Sequence, residues 1–494
     1  MTTQDYSRRD FVRNMTWMGA AATLTGCALG KGRAPGPLSG SSMIGHALKP
    51  MARVRVGMVG LGKRGGAALK RLSQIPVVDI TAICDVVPER VEKGAQHLVA
   101  KGRPAPQRFT GERGWERLCG LEDVDVVYCC THWLLHAPVA LRAMKEGKVA
   151  LTEVPGALTV DDCWALVETG EATRLPCMLL ENACYAEEQL AVYMMQRAGL
   201  FGEMVYADVG YIHDLRVKSY NTVDDPDLVG YWNHWRLRWN QEHAGDAYPT
   251  HQLSCPAKYY FGFNAGDRMD YLVSMSSKQA NFEAYARATF PADDWRAKLK
   301  LKTGDISVAL VKSVKEKMVI LQHSVSSPRP YTVGSVVGTK GVWAKLYAGY
   351  GTYGLGFDKK PGGGVEKFMP DEERLRYFEK YAHPLWRKDV KELCTKVGGH
   401  GGKDFLMDIR WVYCLVTGQP LDMDVYDLAS WSSLVELTER SEAMRGRSVD
   451  IPDFTRGAWE TALPPDPARM TVEPRVLGIA DDPRKLSGEG QMSV

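Results

Sequence analysis

The sequence predicts an α/β protein: an N-terminal Rossmann-type, doubly wound parallel sheet followed by an α+β domain with an open, mostly antiparallel sheet. Three observations carry this expectation. A glycine-rich turn, Gly60-Leu-Gly62-Lys-Arg-Gly65, stands between an apolar strand and a helical stretch. Strand and helix patterns then alternate as far as about residue 182. Beyond that point strand patterns follow one another without a helix between each.

The elements follow in order. Arg53-Val-Arg-Val-Gly-Met-Val59 has the apolar, β-branched texture of a buried parallel strand. In the turn after it, Gly60 permits the tight bend, Gly62 lets the backbone approach a pyrophosphate, and Gly65 lets helix and strand pack closely. The helix running to Leu72 then turns its unpaired N-terminal N–H groups toward the phosphates. A second strand, Val78 to Cys84, ends in Asp85, placed to accept hydrogen bonds from the adenosine ribose and to repel a 2′-phosphate, so NAD is expected over NADP. Val124 to Cys130 is a strand, Leu135 to Glu146 a helix, Val149 to Thr152 a strand. Thr159 is placed to cap the next helix, and Met178 to Leu180 is a further strand. Ligands of such sheets lie beyond the carboxyl ends of the strands. That singles out Thr131 to His136, Glu153-Val154 and Asn182. A helix over 186–198 and strands over 205–211, 306–312, 318–325 and 331–337 describe the second domain.

Bulk properties narrow the partners. The 494 residues are 45% hydrophobic and 24% charged, with a formal net charge of +3, and no basic block interleaves with aromatics. Nucleic acid is therefore not expected, and a small molecule or glycan is. Neither H-E-x-x-H nor paired C-x-x-C occurs, so no metal site is expected. Eleven cysteines in so long a chain are no disulfide framework.

The first residues read as a targeting segment. Ser7-Arg8-Arg9-Asp10-Phe11-Val12 resembles a twin-arginine export signal. The apolar run Met15–Leu29 is shorter than the roughly 20 residues a bilayer span needs, and Leu24-Thr-Gly-Cys27 resembles a lipobox. The expected organisation is a signal over 1–27, a linker over 28–50, an NAD-binding domain over 51–182, a substrate domain over 183–460 and a tail over 461–494. The expected location is periplasmic, or anchored to a bacterial membrane through a lipidated Cys27.

The second-domain pattern resembles the glucose-fructose oxidoreductase / inositol dehydrogenase family (Gfo/Idh/MocA). Dehydrogenases there usually carry Glu-Lys-Pro where this chain has Glu153-Val154-Pro155, and valine cannot assist a hydride step by proton transfer. The chain more closely resembles glycoside hydrolase family 109, the NAD-dependent α-N-acetylgalactosaminidases. The matching motifs are Glu153-Val154, Glu181-Asn-Ala-Cys-Tyr185, Gly210-Tyr-Ile-His-Asp-Leu-Arg216, Trp235-Arg236, Tyr248-Pro-Thr-His251, Arg329-Pro-Tyr331, Gly399-His-Gly-Gly402 with Asp404, Asp424-Val-Tyr-Asp427 and Ile451-Pro-Asp-Phe-Thr455.

This resemblance implies NAD contacts from Gly60, Gly62, Lys63, Arg64, Gly65, Asp85, Trp133, Leu134, Leu135, His136, Glu153, Val154 and Asn182. It implies substrate contacts from Tyr211, Arg236, Tyr248, Pro249, Thr250, His251 and Tyr331. It also implies hydrolysis of terminal α-N-acetylgalactosaminides through a transient C3 ketone that acidifies C2–H, elimination of the aglycone, addition of water and return of the hydride. His251 is the candidate for the O3 proton and Tyr185 for the C2 proton or the enolate, although a tyrosine with a pKa near about 10 must be perturbed to act as a base. His400 opens a helical segment that faces the cleft. A net-oxidising sugar dehydrogenase is the alternative activity, and a homo-oligomer is the expected assembly.

Overall fold

The structure, a computed structural model, describes residues 41–221, 230–327, 334–345, 353–358 and 366–479. The targeting segment and Tyr331 lie outside the described residues.

In the first lobe, strands and helices alternate: β1 (Val54–Val59), α1 (Lys63–Leu72), β2 (Val78–Asp85), α2 (Pro88–Ala100), β3 (Gln107–Thr110), α3 (Gly114–Cys119), β4 (Val126–Cys129), α4 (His136–Lys145), β5 (Val149–Thr152), α5 (Val160–Thr173) and β6 (Cys177–Leu179). The six strands form one parallel sheet in the order β3-β2-β1-β4-β5-β6. The order reverses between β1 and β4, which opens a crevice above their carboxyl ends. β4, β5 and β6 are buried throughout, as a sheet covered on both faces requires. Thr159 caps α5, its hydroxyl accepting the Asp162 N–H.

The second lobe begins with α6 (Glu187–Arg197) and β7 (Met204–Ile212), followed by α7 (Trp235–Glu242) and α8 (Thr250–Cys255). The strands β8 (Met269–Ser276), β9 (Ser307–Ser313), β10 (Met318–Ser324), β11 (Gly334–Gly338), β12 (Gly341–Lys345) and β13 (Tyr353–Phe357) then build a sheet, completed late in the chain by β14 (Val449–Asp450). Its order is β13-β12-β11-β7-β10-β9-β8-β14, antiparallel everywhere except for the parallel pair β7 and β10. Ala207, Val209, Val311, Val319 and Leu321 face the core, while Tyr271, Met275, Leu310 and Met318 stand exposed on the other face. The parallel pair sets the site: β7 and β10 end side by side, so Tyr211 and His323 reach the same edge in register and stack at 6.1 Å.

After α9 (Lys388–Val397) come α10 (Lys403–Thr417), α11 (Val425–Ser432) and α12 (Leu434–Ala443). α10 returns to the first lobe. Arg71 of α1 donates from Nε to Asp408 of α10 at 2.6 Å, and the Tyr128 hydroxyl of β4 donates to the same carboxylate at 3.1 Å. Tyr426 of α11 donates its hydroxyl to Glu171 of α5 at 2.8 Å.

Candidate active site

The nucleotide turn has the shape its glycines imply. Gly60 takes φ +89°, and a Cβ there would stand 2.5 Å from the Cys130 carbonyl oxygen; one on Gly65 would overlap the Gly60 carbonyl oxygen. Around Gly62 the space is open, with Arg90 Nη1 at 3.7 Å as the nearest atom. That opening, at the head of α1, is what a bound pyrophosphate needs. Lys63 begins the helix. Burial, and then the nearby Lys218, lower its pKa. The Asp85 carboxylate is pinned: one oxygen accepts the Leu61 N–H at 2.6 Å, the other the Val87 N–H at 2.9 Å, with Arg90 3.5 Å away. Each oxygen keeps lone-pair capacity for a ribose hydroxyl.

Several residues expected to touch the cofactor have other work. Arg64 is committed to Glu153 at 2.5 Å and to Asp404 at 2.8 Å, which leaves its backbone N–H at the head of α1 as its group for a phosphate. His136 is 1% exposed, and both ring nitrogens face carbonyl oxygens, Pro155 at 2.6 Å and Thr131 at 3.1 Å. Its ring ties two strand ends together instead of entering the crevice. Trp133 is a wall residue, packed edge-on against Trp235 and Trp239 and beside Tyr248. Leu134 and Leu135 pack behind it, and Val154 is buried.

Asn182 is 3% exposed; its amide nitrogen donates to Asp404 and its oxygen has no partner. A buried acceptor aimed by a fixed donor suits a carboxamide such as that of nicotinamide. The turn, the pinned Asp85 and this orphaned oxygen together fit NAD.

Tyr185 is corrected by the structure. It is fully buried, and its hydroxyl donates to Asp422 at 2.9 Å, where Arg410 pairs with the same carboxylate at 2.9 Å. Burial and then Asp422 push the phenol well above its usual pKa, the opposite of what a base requires. Its place is in the core.

The sugar side gathers residues from three elements. The rings of Tyr211 (β7), Tyr248 and His251 (α8) lie 4.7–5.6 Å apart. Burial raises the Tyr248 phenol well above 10, so it stays protonated and donates. Arg236 of α7 is 5% exposed and boxed by aromatic rings, its guanidinium carbon 4.5 Å from the Trp133 centroid and 5.2 Å from that of Tyr248. Its one hydrogen bond goes to the Tyr231 hydroxyl, its Nε has no partner, and no carboxylate pairs with it among the described residues. Pro249 and Thr250 are buried beneath, with the Thr250 hydroxyl unpartnered.

His400, which the sequence places at the start of a helix facing the cleft, stands beside Asn182 and Asp404. Gly398, Gly399, His400, Gly401 and Gly402 all have positive φ, and His400 is the one residue of the five with a side chain, at φ +47°. A Cβ on Gly399 would stand 2.6 Å from that of Asp404, and one on Gly402 would stand 2.8 Å from the Cys394 carbonyl carbon. Such backbone persists only where its surroundings over-determine it. The loop holds His400 with Nδ1 2.8 Å from Asp404 while its side chain stays 39% exposed. A carboxylate only accepts, so Nδ1 carries the hydrogen and Nε2 faces outward. Burial opposes the charge of Asp404, but Arg64, His400 and Arg71 hold its pKa well below the usual range. The legible signal was a histidine framed by glycine pairs with an aspartate four residues on.

Fold and site together define an NAD-binding enzyme of the oxidoreductase type, with aromatic rings gathered around His251 and Arg236. Residues 54–180 match the model of the oxidoreductase family with an NAD-binding Rossmann fold, and residues 185–461 match that of the glycosyl hydrolase 109 C-terminal domain. An alpha-N-acetylgalactosaminidase of Shewanella oneidensis is 41% identical over 87% of this chain and 91% of its own. A glycosyl hydrolase family 109 protein of Shewanella putrefaciens is 40% identical over 90% and 94%. Among solved structures, levoglucosan dehydrogenase with NADH and L-sorbose aligns at a TM-score of 0.58 and 15% identity, covering 81% of this chain and all of that one. The aldose-aldose oxidoreductase of Caulobacter crescentus aligns at 0.54 and 17%, with the same two coverages. These two share the fold. The chain belongs to glycosyl hydrolase family 109, and its cofactor is NAD.

Proposed function

We propose that the enzyme releases terminal α-linked N-acetylgalactosamine, with NAD retained and restored in each turnover. One observation carries this reading: two imidazoles, His251 and His400, each stand against a buried carboxylate, Glu181 and Asp404. A glycosidase of the common kind needs two free carboxyl groups across the scissile bond. Here Glu153 and Asp404 are consumed by Arg64, and Glu181 is fully buried. Histidines that carry protons suit a redox-assisted elimination instead.

When bound, the nicotinamide supplies a reversible hydride acceptor for the sugar's C3–H. The protein's own groups do the rest. His251 takes the proton from O3–H and later returns it. His400, its neutral ring holding the hydrogen on Nδ1, takes the C2 proton on Nε2, passes it to the glycosidic oxygen as the aglycone leaves, and then takes a proton from the water that adds at C1 and returns it to C2. Tyr248, held protonated, donates to the oxygen on which charge grows when C2–H is lost. Arg236, a buried cation without a counter-charge, holds the acetamido carbonyl or that same oxygen. Tyr331, outside the described residues, belongs to this substrate set by its motif.

The test is a chromogenic α-N-acetylgalactosaminide assayed with and without added NAD, following aglycone and 340 nm absorbance together. Aglycone without net NADH is the expected result; stoichiometric NADH would make the enzyme a dehydrogenase. Deuterium at C2 should wash out into solvent, and its full retention would remove the enolate route.

We also infer export by the twin-arginine route, lipidation at Cys27, and a homo-oligomer formed on the open sheet face. The ordered signal motifs support the first two, and the exposed Tyr271, Met275, Leu310 and Met318 support the third. Mass spectrometry of the membrane-bound form and light scattering of the mature protein test them.

A further inference from the structure

Glu181 is a fully buried carboxylate that faces no lysine or arginine among the described residues. Its Oε1 accepts the Ala183 N–H at 3.0 Å and lies 2.8 Å from Nδ1 of His251; its Oε2 has no partner. The imidazole N–H approaches that oxygen too obliquely for a good hydrogen bond, so the contact is mainly one of charge: it favours the neutral ring's hydrogen on Nδ1, facing the carboxylate, and strengthens when the ring is protonated. An ionised carboxylate kept dry is costly unless a cation comes to it. The cation at hand is the imidazolium that proton transfer creates.

The rest of the surroundings leave this task to Glu181. Tyr211 from β7 and Tyr248 from the residues before α8 pack on the ring at 5.5 and 5.6 Å and set its plane. Arg236 lies on Tyr248, 5.2 Å from its ring centre, and brings no negative charge. Glu153 is spent on Arg64. The side chain of His251 is 21% exposed, so its outer edge reaches the pocket while Nδ1 is turned inward.

We propose that Glu181 is the positioning residue for His251: it keeps the hydrogen of the neutral ring on Nδ1, which leaves Nε2 as the atom that accepts the O3 proton, and it supports the positive ring that results. The step balances simply. The proton leaves O3 for Nε2, the ring gains one positive charge opposite the fixed negative one, and both revert when the hydroxyl is restored. This rests on the proposed role of His251 at O3.

The experiment uses the mature holoenzyme labelled with ¹⁵N-histidine, with the His251 signals identified by their loss in His251→Ala. In wild type, the neutral ring should show the Nδ1–H form; an Nε2–H ring would overturn the proposal without any variant. Glu181→Gln keeps the shape and the acceptor for Ala183 N–H while removing the charge. Its His251 ring should titrate about one pH unit lower or more. The acid limb of kcat should move the same way, and kcat should fall about 100-fold, with KM and NAD affinity within about twofold. Glu181→Asp, which restores the charge on a shorter stem, should recover part of kcat. An unmoved titration, or a loss of kcat without any change in the pH profile, overturns the proposal. Shifted titration in a protein that never releases N-acetylgalactosamine would sink the substrate reading and leave this one standing.

Discussion

Two groups of buried charge lie on the two sides of the active-site crevice, and they are built on opposite plans. Beneath the nucleotide turn, Arg64, Arg71, Glu153, Asp404 and Asp408 balance one another's charges at 2.5–3.8 Å. On the sugar side, Arg236 is as deeply buried yet has, among the described residues, only aromatic faces and one tyrosine hydroxyl for company. A closed cluster fixes geometry: it clamps the glycine turn to the loop of His400. An open one waits for a ligand. Burial alone does not separate these roles; the presence of a counter-charge does.

The comparison can be broken at four points. His400→Ala should lower kcat about 1,000-fold on substrates with poor leaving groups and less on activated aryl glycosides, because the latter need the ring at C2 but not at the leaving oxygen. A uniform loss across leaving groups would remove His400 from that role. Asp404→Asn should lower unfolding free energy by about 3–5 kcal/mol, since it leaves Arg64 and Arg71 buried with less negative charge; chemical denaturation reads this directly. Arg236→Met, by contrast, should leave the denaturation midpoint unchanged or higher while cutting kcat/KM about 100-fold. Equal destabilisation by the two variants would abolish the distinction between closed and open clusters.

The smallest effect concerns Asp246, whose pKa burial pushes up to about 7. A carboxyl raised in the folded state binds more protons there than in the unfolded chain between about pH 4 and 7, so it subtracts stability as pH rises through that window. Asp246→Asn should therefore gain stability relative to wild type from pH 5 to 7 and level off above. A constant difference across that range would show that Asp246 does not titrate there.

Much of the first lobe was legible, because its rules are local. The strand–glycine–helix junction, Asp85 at the end of β2 and the Thr159 cap each follow from a few adjacent residues. The second lobe was harder. β8 mixes Ser and Met with no clean alternation, β12 and β13 are short and glycine-bearing, and the parallel pairing of β7 with β10 joins segments about a hundred residues apart. Side-chain direction was harder still. Arg64, His136 and Tyr185 stand where motifs place them, but their polar atoms are claimed by Asp404, Pro155 and Asp422, partners that only the folded chain brings near.

The end of β6 carries a consequence of its own. Glu181, still in extended conformation, stands against His251, and Asn182, the next residue, donates to Asp404, the carboxylate that faces His400. In the proposed mechanism both histidines thus take their setting from two consecutive residues at the entry to a single turn, and a one-residue deletion there would disturb the two together.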